Sequence, residues 1–131
     1  MKTILAFDFG LKRIGVAIGN TVLKQASPLT IITAATNEEK FNAIALLVQE
    51  WQPQLAVVGL PLHPDGEEHE MTQRCRRFAN QLHGRFGIAT VLVDERYSSA
   101  VLVQQQNQPV DDQAAAIILQ QYFDDYDSTR T

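Results

Sequence analysis

Cysteine is almost missing from this chain. Cys75 stands alone among 131 residues, so neither an internal disulfide nor a multi-thiolate zinc site can form, and a reducing compartment is expected. Long apolar runs are lacking too. None approaches the roughly 18 residues of a membrane span. Asp8 falls where a secretory leader would continue its apolar core, so the expectation is a cytoplasmic protein with no membrane partner. Positive charge is not in excess either. Eleven Lys and Arg stand against fifteen Asp and Glu, a formal charge of −4, which excludes the strongly basic class that coats nucleic acid indiscriminately. Any nucleic-acid contact must therefore come from a local patch. There is no Walker-type Gly-Lys-Ser/Thr loop for nucleotide phosphates. His63, His69 and His83 lack the paired spacing of a zinc motif and are assigned no metal.

Present instead is a 45% hydrophobic composition, no internal repeat and no linker, which fits one domain over residues 1–131 with a polar, flexible tail from about 124 to 131. Residues 3–9 read as a buried strand, with Ile14–Ile18 at hairpin distance. Ser27–Thr33 reads as a third strand, Pro28 favouring its start or a sheet edge. Thr36 and Glu39 have capping-box spacing, and Phe41, Ile44, Ala45, Val48 and Trp51 recur along a helical face that Pro53 ends. Leu55–Gly59 is a strand apolar on both faces, as in a parallel arrangement. A helix from about Met71 keeps Cys75, Phe78, Ala79 and Leu82 on one face, with Gly84 placed to end it. Ile88–Val93 makes a fifth strand. A short helix from Ser98 or Ser99 to about Gln105 and a last one from about Asp111 to Phe123 complete the chain. The order predicts an α/β fold, a mixed sheet with helices on its faces.

Three acidic positions carry chemical interest. Asp8 lies within an apolar strand, where a carboxylate needs a cation, a proton or donor groups; turn amides beyond Gly10 are the ordinary alternative. Asp94-Glu95-Arg96 follows the fifth strand, at the kind of strand end where open sheets bind ligands. Adjacent residues on an extended chain point to opposite sides, so only one of these acids can share a cleft with Asp8. An Arg96 ion pair is the plain alternative. Asp111-Asp112 opens the last helix, where acids also serve as caps. Brought together, such carboxylates would repel one another without divalent cations among them, and oxygen-only ligation points to Mg²⁺ or Mn²⁺.

From Met71 to Val93 there is no acid, while Arg74, Arg76, Arg77 and Arg85 fall in that span. With Lys12 and Arg13 of the first hairpin they form a candidate phosphate-backbone footprint. Pairing with Glu67, Glu68 and Glu70 is the competing role. The stiff segment Gly59–Gly66, with Pro61 and Pro64, suits a site wall.

Asp8-Phe9-Gly10 with Gly15-Val16-Ala17, Val58-Gly59-Leu60-Pro61-Leu62 with Asp65-Gly66, Asp94-Glu95-Arg96, and Val110-Asp111 with Ala114-Ala115 and Ile117-Ile118-Leu119 together resemble the YqgF/RuvX family. The resemblance spans nearly the whole chain. Members are described as Holliday-junction resolvases and as nucleases that process pre-16S ribosomal RNA. It implies an RNase H-like fold, with a five-stranded mixed sheet whose first three strands are antiparallel and helices on both faces. It also implies a metal-dependent endonuclease, with Asp8, Glu95 and Asp111 as catalytic, metal-holding acids; Asp94 is the rival to Glu95 and Asp112 to Asp111. Lys12, Arg13, Arg74, Arg77 and Arg96 would contact nucleic acid. The implied substrate is structured RNA, first the 5′ region of pre-16S rRNA, with branched DNA as the alternative. The pre-ribosomal small subunit is the implied partner, and a monomer or weak homodimer the expected assembly. One departure matters: Tyr97–Val110 contains no Lys or Arg, whereas many relatives carry a longer, basic stretch there. That departure motivates a competing reading as a non-catalytic RNA- or ribosome-binding module.

Overall fold

Ile4, Leu5, Ala6 and Phe7 are all at most 1% exposed. A strand buried on both faces must lie in the middle of a sheet covered on both sides. The computed structural model, which describes residues 2–61, 65, 67–68, 70–94 and 112–124, places it there. Its elements are β1 (Thr3–Phe9), β2 (Arg13–Asn20), β3 (Ser27–Thr33), α1 (Asn37–Trp51), β4 (Leu55–Leu60), α2 (Glu70–Phe86), β5 (Ala89–Asp94) and α3 (Asp112–Tyr122). The five strands are ordered β3-β2-β1-β4-β5. β1, β2 and β3 pair antiparallel, while β4 runs parallel to both β1 and β5. The mixed sheet with an antiparallel opening is as expected. The expected short helix over 98–105 lies outside the described residues.

The hairpin closes with the Gly10 N–H donating to the Arg13 carbonyl at 2.9 Å. β2 runs two residues past the expected Ile18. It ends where Asn20 Oδ1 accepts from the N–H groups of Val22 and Leu23 at 3.0 and 2.8 Å, an Asx turn that takes the backbone out of the ladder. Pro28 sits in the edge strand β3 opposite Ala17, beside a register shift at Val16/Ala17.

α1 starts as its capping box requires. Thr36 Oγ1 accepts from the Glu39 N–H at 3.2 Å and donates to the Glu39 carboxylate at 3.2 Å. It ends at Gln52, in the left-handed region with φ 50, whose N–H returns to the Val48 carbonyl. The buried stripe differs from the expected one: Ala45 and Trp51 are exposed, while Lys40, Phe41 and Ile44 are buried and Ala43, Leu47 and Val48 pack against them. The contact face is rotated about the helix axis because Lys40, Ala43, Ile44 and Leu47 hold the i, i+3, i+4, i+7 positions, with Phe41 beside them. α2 also departs from expectation. Gly84 lies exposed inside the helix with open space around it, and Gly87, at φ +65, ends it. The terminator is the glycine that takes the left-handed conformation, its N–H donating to the His83 carbonyl at 2.9 Å.

Two apolar layers follow. Leu5, Phe7, Val16 and Val58 meet Phe41, Ile44, Phe78 and Leu82 of α1 and α2. Phe78 packs edge-on to Phe7 at 5.7 Å between ring centroids and 4.8 Å from Phe9; such a buried side chain contributes roughly 1.5–3 kcal/mol. On the other face Ile4, Ala6, Ala17, Val57 and Val93 meet Ala115, Ile118, Leu119 and Phe123. Small sheet residues let α3 approach closely, and Gln120 pins it: Oε1 accepts from the Ala26 N–H and Nε2 donates to the Lys24 carbonyl, both at 3.1 Å. No described helix is long and apolar enough to cross a membrane.

Gly19 is the tightest point of that approach, since a Cβ there would lie 2.9 Å from the Gln25 carbonyl oxygen and the Phe123 ring. Gly19→Ala should destabilise the fold by roughly 1–3 kcal/mol through overpacking, read as a lower urea midpoint with unchanged slope. Thr36→Ala should cost about 1 kcal/mol by removing the α1 cap, a fall of about 3–5 °C in Tm; an unchanged melting curve would show the cap to be idle.

Candidate active site

β1, β4 and β5 run parallel, so their C-terminal ends share one edge of the sheet, and the Gly10–Arg13 turn projects from that edge. Asp8 is the last buried residue before it, at 2% exposure. Alternation along β1 gives Asp8 the face of Ile4 and Ala6, the face α3 covers. Its cross-strand partner is Gly15. On the other side Val58 pairs with Phe7, so Gly59 is the next residue level with Asp8; it is paired in turn with Val93. Gly15 shares the parity of Ala17 and Gly59 that of Val57, both in the α3 layer. Asp8 is thus flanked on its own face by two positions without side chains. Neither neighbouring strand sets a side chain against the carboxylate at its own level, and a carboxylate is the kind of oxygen ligand that suits a hard divalent ion.

β5 separates the two acids of Asp94-Glu95. Val91 and Val93 pack in the α3 layer, while Leu92 packs in the opposite one. Asp94 has the parity of Leu92, so it belongs to the face opposite Asp8. Its carbonyl accepts from Gln121 Nε2 of α3 at 2.9 Å, which ties the strand end to the helix. Asp112 opens α3, half-buried. Glu95, Arg96 and Asp111 lie outside the described residues, and among the described residues no three His, Cys, Asp or Glu side chains gather to hold a metal. The β4 exit is fixed by the Thr72 hydroxyl of α2, which donates to the Pro61 carbonyl.

The basic residues divide. Lys12 and Arg13 are exposed on the hairpin at the Asp8 edge. Arg74 pairs with Glu70 at 2.9 Å, exposed, and Arg76 with Glu68 at 2.8 Å, half-buried, so the competing role expected for the acids just upstream is realised at these two positions. Exposed pairs of this kind hold weakly. Arg77 is exposed and makes no ion pair among the described residues. Arg85 stacks its guanidinium 4.2 Å from the centroid of Phe41. His83 Nδ1 lies 3.1 Å from the Ile88 carbonyl, at the far end of α2.

One feature was not singled out from the sequence. Lys40 is 7% exposed, with Nζ donating to the Leu11 carbonyl at 2.6 Å and 5.5 Å from the centroid of Phe9. Its signal was present, a lysine on the apolar stripe of an amphipathic helix. The flanking pair Gly15 and Gly59 were visible as glycines inside apolar strands, a pattern that marks close approach of a ligand or backbone.

Comparison with known proteins agrees with this architecture. The sequence model of the RuvX family, described as Holliday junction resolvase, matches residues 2–125. A protein of Bordetella pertussis named "Putative pre-16S rRNA nuclease" is 58% identical over 125 residues, covering 94% of each chain. A Nitrosospira multiformis protein of the same name is 53% identical over 137 residues, covering 97% of this chain and 91% of its own. Among solved structures, Thermus thermophilus RuvC superposes with a TM-score of 0.59 at 13% identity, covering 98% and 97% of the two chains. The Fowlpox virus resolvase, in complex with Holliday junction DNA, gives 0.57 at 12% identity, covering 93% and 97%. At such identities the likeness to these two is one of fold. The family match across 2–125, with relatives above half identity over nearly the full length, establishes that this chain belongs to the RuvX family.

Proposed function

We propose that this protein is a metal-dependent endonuclease that hydrolyses phosphodiester bonds in structured nucleic acid, with the 5′ region of pre-16S rRNA as its substrate. The observation that carries this reading is Asp8, buried at the end of the central strand between two glycines, at the edge shared by the parallel strands. The names of the relatives support the RNA substrate.

Asp8, Glu95 and Asp111 would hold the ions, Mg²⁺ or Mn²⁺. The period-2 alternation of β5, carried one residue past Asp94, favours Glu95 over Asp94 for the side of Asp8. Held by these acids, the ions would supply activation of water and stabilisation of the leaving oxygen of the cleaved strand. The chain's own contribution is positional. The bare floor at Gly15 and Gly59 leaves space beside the carboxylate, while Lys12 and Arg13 at the sheet edge hold the phosphate backbone with Arg96. The family description and the fold shared with junction resolvases support a second substrate, the four-way DNA junction, and the two are separated by assay.

With Mg²⁺ or Mn²⁺, the purified protein should cleave precursor 16S rRNA in preference to a four-way DNA junction. Asp8→Asn should lower cleavage by at least about a hundredfold with unchanged circular dichroism; equal cleavage by this variant would reject the site. Mn²⁺ titration calorimetry should show binding lost in Glu95→Gln and kept in Asp94→Asn. The reverse result would mean that the strand alternation breaks before residue 95.

A further inference from the structure

Behind Asp8, on the opposite face of the sheet, a cavity of about 70 Å³ opens between α1 and α2, lined by Phe9, Asn37, Lys40, Arg74, Arg77 and Gln81 on an aromatic floor completed by Phe41 and Phe78. We propose that it is a phosphoryl-binding subsite for the strand that flanks the scissile bond. The proposal rests on the nuclease reading above and extends it to where the substrate goes beyond Asp8.

Its composition points to an anion. Among the described residues three cationic side chains line the cavity and no acid does. Lys40 is the most telling of them, because a buried ammonium is costly unless it is paired. One of its three N–H donors goes to the Leu11 carbonyl, and the neighbouring Phe9 ring supplies only a weak cation–π contact. An oxyanion would complete its shell. Arg77 has no acid partner among the described residues and stands ready as a second donor. Arg74 needs only to leave an exposed pair with Glu70. Asn37 and Gln81 add neutral amide donors, and the volume suits several waters or one tetrahedral oxyanion.

Position argues for the substrate's own backbone. Phe9 is the neighbour of Asp8 in β1, with its side chain in the α1 and α2 layer, so the cavity and the candidate active site lie back to back at one sheet edge. The exposed Lys12 and Arg13 occupy the turn between them. A strand with its scissile phosphate at Asp8 would pass these residues on rounding the edge and set a flanking phosphate against Lys40 and Arg77.

The test is binding of a fluorescently labelled RNA stem-loop with a single-stranded 5′ flank, followed by anisotropy in EDTA over a range of KCl. Arg77→Ala should weaken binding about tenfold and reduce the salt slope by about one. Arg76→Ala removes the same charge from the same helix without touching the cavity, and should change affinity less than twofold. Equal effects of the two variants would reduce the cavity to part of a diffuse field and overturn the proposal, as would no effect of Arg77→Ala. Lys40→Met should weaken binding as Arg77→Ala does; since it can also loosen α1, Lys40→Arg, which keeps a cation, should restore it. Flanks bearing a 5′-phosphate or a 5′-hydroxyl distinguish the source: an Arg77 effect equal on both assigns an internal phosphodiester, and an effect confined to the first assigns the terminal phosphate. The binding assay contains no divalent ion and measures no cleavage, whereas the cleavage assay of the preceding subsection requires the ion. Failure of cleavage and failure of the subsite are therefore read separately.

Discussion

The carboxylate of Asp8 has to remain in the interior of an apolar sheet, and much of the architecture around it can be understood from that constraint. A charged group at 2% exposure is costly unless surrounding groups offset its lost hydration. The cost is tolerable only at a strand end, where the parallel edge lets polar groups and ions approach from one side. Both neighbouring strands present glycine at its level, so the polar end of β1 is not hemmed in by the aliphatic packing that surrounds Ile4 and Ala6 four and two residues earlier. The same face changes within one strand from aliphatic side chains to a carboxylate flanked by glycines.

The opposite layer serves a different purpose. Phe7, Phe9, Phe41 and Phe78 form an aromatic cluster behind the sheet, and Lys40 is set into its rim with its ammonium on the Leu11 carbonyl. That bond joins α1 to the hairpin that follows Asp8, so the turn bearing Lys12 and Arg13 is braced by a helix. On the α3 side the approach is governed by the smallness of Ala6, Ala17 and Gly19, and by Gln120 and Gln121, which tie α3 to the β2–β3 turn and to the end of β5. One face is thus rigid through bulk and the other through closeness.

How much of this was legible in the residues depends on the range of the interactions concerned. Strand positions were readable because alternation and burial on both faces are local patterns, and the Thr36 cap because its partner is three residues away. The buried stripe of α1 was misplaced at Ala45 and Trp51, since small and aromatic residues suit either face and only packing decides between them. Gly84 and Gly87 are indistinguishable as letters; which one terminates α2 is settled by the left-handed φ of the second. Lys40 was missed because its acceptor lies 29 residues away in sequence, across a hairpin whose placement no helical period reveals. At the candidate site, the sequence established that Asp94 and Glu95 must diverge, but their sides depend on the parity of Leu92 and Val93 in the folded strand. Glu95, Arg96 and Asp111 fall outside the described residues.

The β3 edge carries a consequence of its own. Pro28 supplies no N–H to a neighbouring chain, and the register shift at Val16/Ala17 breaks the regular spacing of the ladder beside it. A sheet interrupted in this way is a poor template for an added strand, despite the exposed Ile31. Growth of the sheet by edge-to-edge stacking is discouraged on that side, and β5 is left as the edge that carries no such interruption.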